Sequence, residues 1–262
     1  LEDPIEYVHQ NQQCLMNQRE IGRNTRSFAN ALRASLREDP NVILVGEMRD
    51  HESLALAISA AETGQLVLGS LHTQSAIATV DRILDAFPSD QQNQVRSQLS
   101  ESLKGIVAQR LLKRADGRGR SAAVEILFGT PAVANLIREK KTFQLASVMQ
   151  TSKRDGMLTF EDSVLTLVRQ GVVAADEAVG YGIDPDILER AVREGAARMA
   201  GAPGMAAPQG GGPAGGGPSS AAGNGPPPAR ESNGSISGIL NAFGATAGST
   251  PSDGPGGARP GS

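Results

Sequence analysis

Asn41-Val42-Ile43-Leu44-Val45-Gly46-Glu47-Met48-Arg49-Asp50 is the stretch from which the rest of the chain is read. The apolar run Val42 to Val45, with its β-branched members, reads as a strand buried on both faces. Gly46 ends the run and lets other backbone come close. Glu47 then stands at the carboxyl end of the strand, the edge where open α/β sheets place their ligands. Taken alone, the pattern also fits a surface carboxylate after a core strand.

Helices flank this strand. Thr25 to Asp39 reads as one, because Phe28, Leu32 and Leu36 recur every fourth residue, with Asn24 or Thr25 as cap and Pro40 as its stop. His51 to Thr63 reads as the next, with Leu54, Ala57, Ile58 and Ala61 inward and Gly64 at its left-handed end. Leu66 to Leu71 is a second short buried strand that delivers His72 and Thr73 to its end. A lone His after a strand is ordinarily structural. This one follows Glu47 by one strand–helix–strand unit, which puts both on the same edge of a parallel sheet.

Upstream, Leu1-Glu2-Asp3-Pro4-Ile5-Glu6 packs three acids around a proline, as a site or as a solvated turn. Residues 7–24 read as loop or extended chain anchored by Cys14 and Leu15. Arg19, Arg23 and Arg26 serve there for solubility or anion contact. Downstream, Ser75 caps a helix with Ile77, Val80, Ile83 and Leu84 inward. Ser89-Asp90-Gln91-Gln92 has the spacing of a capping box before Val95, Leu99 and Leu103. Ile106–Leu112 and Ala122–Phe128, joined through Asp116-Gly117, read as a hairpin. Helical patterns follow at 131–140, 142–150, 159–170 and 185–199, the third opened by a Thr159/Asp162 capping box and ended by Gly171. The expected organisation is an α/β core over 1–130, a helical subdomain over 131–200 and a tail over 201–262.

The tail holds 18 of the 31 Gly and 10 of the 15 Pro. Such composition cannot bury enough apolar surface to offset ordering entropy, so it is expected to be disordered. One island, Ile236, Ile239, Leu240 and Phe243, has helical spacing and reads either as a stray apolar cluster in coil or as a short helix that docks on a partner or a neighbouring subunit. The single Cys14 excludes an internal disulfide and any multi-cysteine zinc site. No apolar run approaches the ~20 residues that span a bilayer. A net charge of -3, without a basic stripe interleaved with aromatics, argues against nucleic acid as partner and against a DNA motor.

Three segments together resemble boxes of the C-terminal ATPase domain of the PilT/GspE secretion-motor family. L-E-D-P-I-E-Y-V-H is similar to its Asp box, N-V-I-L-V-G-E-M-R-D to its Walker B and G-Q-L-V-L-G-S-L-H-T to its His box. The resemblance runs from Leu1 to about Val179, and the order and spacing of three boxes make it more specific than any one of them. G-T-P-A-V-A-N-L-I-R-E at 129–139 is similar to the signature of the pilus-retraction branch. Type II secretion and pilus-assembly relatives carry a four-cysteine module that one Cys cannot supply.

The resemblance implies a RecA-like P-loop core, ATP and Mg²⁺ as cofactors, a homohexamer, an inner-membrane pilus platform protein as partner, and a cytoplasmic place at the inner face of the membrane without insertion. It implies that Glu47 orients water or acts as base, that Glu2, Asp3 and Glu6 form a second acid cluster, and that Mg²⁺ is held indirectly through Glu2, Asp3 and Glu47. His72, with Thr73 and Gln65, would sense the γ-phosphate, and Arg37 and Arg49 would be interface cations. Gln65 stands where the family often has a second His, and Ala134 where retraction motors often have Arg. No G-x-x-x-x-G-K-[S/T] loop occurs in the chain. The sequence is therefore expected to be a fragment that binds ATP weakly by itself. The alternatives are a non-hydrolysing accessory protein of the same fold and a type II secretion or pilus-assembly ATPase.

Overall fold

β1 (Val42–Val45) and β2 (Leu66–Gly69) pair in parallel, Val42 opposite Leu66 and Val45 opposite Gly69. The computed structural model that gives this pairing describes residues 1–200; the tail and its 236–243 island lie outside the described residues. α2 (His51–Glu62) makes the crossover, capped by the Asp50 carboxylate, which accepts from Ser53 N–H at 2.8 Å. α1 (Phe28–Ser35) precedes β1 and is capped by Ser27 rather than by Asn24 or Thr25. Thr25 is still in extended chain, bridged to Ile21, and its carbonyl accepts from Gly22 N–H, so the helix cannot begin there.

The two strands are covered on one face only, which corrects the expectation of double burial. Ile43 and Val45 are buried with Leu32, Ala57 and Ala60. On the opposite face Leu44 is 50% and Leu68 46% exposed. α1 and α2 both pack against the Ile43/Val45 face, so within the described residues neither covers the other. Leu44→Ser is therefore expected to shift the stability of this chain by only about 0.5 kcal/mol or less. Urea titration of the variant checks this; a loss of several-fold that size would mean that the face is covered.

The chain continues through α3 (Ala76–Asp85) and α4 (Gln92–Ser102) into the antiparallel hairpin β3 (Gly105–Lys113) and β4 (Arg120–Phe128). Ser75 caps α3 as the sequence implies, its hydroxyl accepting from Ala78 N–H at 3.1 Å. The capping box at Ser89 does not form. The Pro88 carbonyl accepts from Gln91 and Gln92 N–H, at 2.9 and 3.1 Å, so the backbone amide that Ser89 would have capped is already engaged. Gly129 leaves the hairpin so close to Leu103 that a Cβ would strike its carbonyl.

The helices that follow are α5 (Pro131–Arg138), α6 (Leu145–Thr151), α7 (Phe160–Arg169), α8 (Ala175–Val179) and α9 (Pro185–Ala200). α7 starts at the expected Thr159 cap, whose oxygen accepts from Asp162 N–H at 3.2 Å. α8 is five residues long and carries too few periodic positions to stand out in sequence.

Two apolar clusters organise this region. One joins Val80, Leu84, Leu99, Ile106, Leu127, Ile137 and Met149. The other joins Leu112, Ala123, Val164, Val168, Leu188 and Ala191. α5 and α6 thus share their core with α3 and α4, and the packing does not divide at residue 130. Directly opposed residues of an antiparallel pair lie on one face. By register, Ile106/Leu127, Ala108/Glu125, Arg110/Ala123 and Leu112/Ser121 therefore line the same face of the hairpin. Both clusters sit on that face, towards its two ends.

Candidate functional site at the strand ends

Gly46 is a point of close backbone approach in the site. Its N–H donates to the Leu1 carbonyl at 2.7 Å, and a Cβ there would lie 3.0 Å from that oxygen and 3.4 Å from Glu2 Cα. Leu1 and Glu2 therefore run beside the end of β1 against a backbone that has no room for a side chain. Glu2 is fixed on its other side by Arg19 and Ile21, at 3.0 and 2.9 Å, and its Oε1 accepts from Gln18 Nε2 at 2.8 Å. Across β1, Ser70 closes the gap. Its N–H donates to Val45, its carbonyl accepts from Met48 N–H at 3.1 Å, and its hydroxyl donates to the Gly46 carbonyl.

These backbone contacts set Glu47 and His72 face to face, with His72 Nε2 2.7 Å from Glu47 Oε1. Arg49 Nε donates to the same oxygen. The Glu47 side chain is 19% exposed and that of His72 76%, so the pair opens to solvent on the imidazole side. A cavity of about 710 Å³ adjoins it, lined among others by Arg49, His72, Thr73, Asp81 and Arg82. The Thr73 hydroxyl meets Thr79 Oγ1 at 2.7 Å, and Thr79 donates to the Ser75 carbonyl at 2.8 Å. A chain of hydroxyls thereby ties the neighbour of His72 to the first turn of α3.

Hydrogen bonding from Arg49 chiefly holds the Glu47 carboxyl below its ordinary value; desolvation opposes it, and a weaker hydrogen bond from His72 adds to it. The same bond to Glu47 chiefly, with a lesser contribution from Asp3, raises Arg49. The sign follows for pH. A carboxylate depressed in the fold favours the folded arrangement fully above its ordinary value of 4.5, and that contribution is lost as pH falls through the depressed value. Carboxyl ¹³C titration of Glu47 is expected to give a midpoint below that ordinary value, and Arg49→Gln is expected to move it upward. An unmoved midpoint would exclude Arg49 as the cause.

Of the residues singled out in the sequence, Glu2, Glu47, His72 and Thr73 come together, and Asp3 is close enough to act on Arg49. Glu6 is exposed on the loop that leaves the site. Gln65 lies at the opposite end of β2 from His72, where its side-chain oxygen accepts from Thr63 Oγ1 at 2.7 Å. Arg37 follows α1 at the amino end of β1, away from Glu47. Cys14 and Leu15 anchor nothing: both are exposed, and the loop is held instead by polar bonds such as Gln18 Nε2 to the Tyr7 carbonyl at 2.9 Å. Ser70 went unrecognised in the sequence, although a hydroxyl directly after a strand is a signal for a backbone tie. Among the described residues, no group of three or more His, Cys, Asp or Glu side chains is arranged to hold a metal ion. None of the described helices is long and apolar enough to cross a membrane.

Over its first 180 residues the chain is similar to proteins already known. A twitching motility protein of Neisseria gonorrhoeae is 57% identical over 178 residues, covering 68% of this chain and 48% of that protein. The type IV pilus retraction ATPase PilT of Pseudomonas aeruginosa is 52% identical over 178 residues, covering 68% of this chain and 52% of PilT. The chain spans about half the length of the curated relatives it matches. Among solved structures, the pilus retraction motor PilT with bound ADP superposes with a TM-score of 0.65 at 50% identity, covering 72% of this chain and 53% of that one. Residues 1–180 match the family described as type II/IV secretion system protein. The chain belongs to that family, and its α/β fold is that of the family's ATPases.

Proposed function

We propose that this chain forms the water-activating side of an ATP-hydrolysing motor that retracts type IV pili. The observation that carries the proposal is the Glu47–His72 contact of 2.7 Å at the carboxyl ends of two parallel strands, with Glu2 packed alongside at Gly46. Phosphoryl transfer passes through a loose anionic transition state, so catalysis consists mainly of positioning and charge placement. Glu47 orients the attacking water and takes up its proton. His72 donates to Glu47 before nucleotide arrives, and the γ-phosphate competes for that imidazole. Release of His72 shifts Thr73, and through Thr79 the start of α3. Glu2 and Asp3 supply further negative charge on the same rim, and Glu6, on the loop that leaves it, has no part in this reading.

Mg²⁺, when bound with ATP, would supply neutralisation of the phosphate charge. The acids present suit contact with its water shell through Glu2, Asp3 and Glu47 rather than direct ligation, since no three-ligand cluster exists among the described residues. Gln65 has no part in this reading, its amide serving the turn into β2. Arg37 and Arg49 are candidate cations towards a neighbouring subunit of a homohexamer. An inner-membrane platform protein, reached from the cytoplasmic face, is the partner proposed to receive the motion.

The chain lacks the glycine-rich loop whose N–H groups cradle phosphates. By calorimetry the isolated chain is therefore expected to bind ATP weakly, and micromolar affinity would contradict this division of labour. Deleting the gene separates the branches of the family. Cells that keep surface pili but lose twitching support retraction; cells that lose their pili point to an assembly motor.

A further inference from the structure

Arg110 is a cation on the inward face of the hairpin, in the apolar series Ile106, Ala108, Arg110, Leu112. Glu125 stands opposite Ala108, which makes it the diagonal neighbour of Arg110 on that face. Both residues lie between the two apolar clusters. Each spends its charge on the backbone of one short turn. Arg110 Nε donates to the Gln74 carbonyl at 3.1 Å, and Glu125 Oε1 accepts from Ala76 N–H at 2.6 Å. That turn begins two residues after His72. The Arg110 guanidinium carbon also sits 4.3 Å from the ring centroid of Phe160, the first residue of α7, and that ring packs against Tyr181. A cavity of about 480 Å³, lined by Ser75, Glu125, Met149, Phe160 and Tyr181 among others, leaves the seam room to move.

We propose that Arg110 is a positioning residue for His72, gripping the Gln74–Ala76 turn together with Glu125 and tying it to α7 through the Phe160 ring. The proposal rests on the reading of His72 as the group that faces the nucleotide. The His72 side chain is largely exposed, so its placement depends on the backbone that carries it. A guanidinium can hydrogen-bond in its plane while stacking over an aromatic face, which an ammonium cannot do with the same geometry. Displacement of the start of α7 therefore reaches Gln74 through one side chain, and movement of the His72 loop reaches the C-terminal helices by the same route.

Amide hydrogen exchange followed by NMR on the full chain tests this without nucleotide. Arg110→Lys and Phe160→Leu are each expected to accelerate exchange at Ala76 and Ala78 by about tenfold, while Val95 and Leu99 in α4 stay within about twofold. Phe160→Tyr keeps the aromatic face and is expected to retain the original rates. Unchanged rates at Ala76 and Ala78 in Arg110→Lys, or faster exchange there with the His72 ring ¹H–¹⁵N resonances unmoved, would overturn the proposal. So would an equal acceleration in α4, which means general loosening, or a Phe160→Tyr variant as fast as Phe160→Leu. Because the readout needs no ATP, its failure would leave the ATPase reading intact, and failure of hydrolysis would not alter the exchange result.

Discussion

Glu47→Gln, placed in a protein that carries the phosphate-binding loop, is expected to bind ATP with nearly unchanged affinity and to turn it over roughly 100-fold more slowly, or slower still. The substitution preserves volume and keeps one oxygen for Arg49 or His72, but it removes the only group in the 46–48 segment able to accept a proton. On the proposed reading the phosphate-binding loop makes the ground-state contacts to the nucleotide, so KM should hold while kcat falls, the pattern of an interaction made in the transition state. Steady-state phosphate release, with nucleotide binding measured separately, checks both halves. Unchanged turnover would take Glu47 out of the mechanism, and lost binding would make it a nucleotide ligand instead.

Leu127→Ala is expected to be the more damaging change to the fold. Leu127 is fully buried in β4, opposite Ile106, in the cluster that α3, α4, α5 and α6 share. Truncating a buried Leu loses both its transfer free energy and the contacts around the space it leaves, about 2–5 kcal/mol. Urea unfolding should show a lower midpoint at unchanged slope. A loss below about 1 kcal/mol would mean that the hairpin relaxes into the gap, contrary to its place between four helices.

Local chemistry was legible in the sequence where it was decided locally. Ser75 and Thr159 cap the expected helices because a side-chain oxygen three residues ahead of a free amide needs nothing else. Ser89 has the same spacing and fails, because a carbonyl one residue upstream reaches those amides first. The crossover that brings Glu47 to His72 was readable, since strand, helix and strand of these lengths leave one arrangement. Which strand faces are covered was not readable. An apolar run records what could be buried, and only the packing of α1 and α2 on the Ile43/Val45 side decides the matter. Gln65 illustrates a related limit: it belongs to the same sequence box as His72, yet the four residues of β2 separate them by its full length. Arg110 and Glu125 carried a usable sign, charge at inward positions of an otherwise apolar strand, but their targets are backbone atoms 36 and 49 residues away.

The placement of both apolar clusters on one face of the β3–β4 ribbon governs how the two halves can shift. A nine-residue antiparallel ladder resists stretching and sliding, since either would break its cross-strand bonds. Torsion about its long axis breaks none, and two-stranded ribbons vary widely in twist. Rotation about this spine, like two leaves bound to one hinge pin, is therefore the motion expected to cost least between α3 and α9.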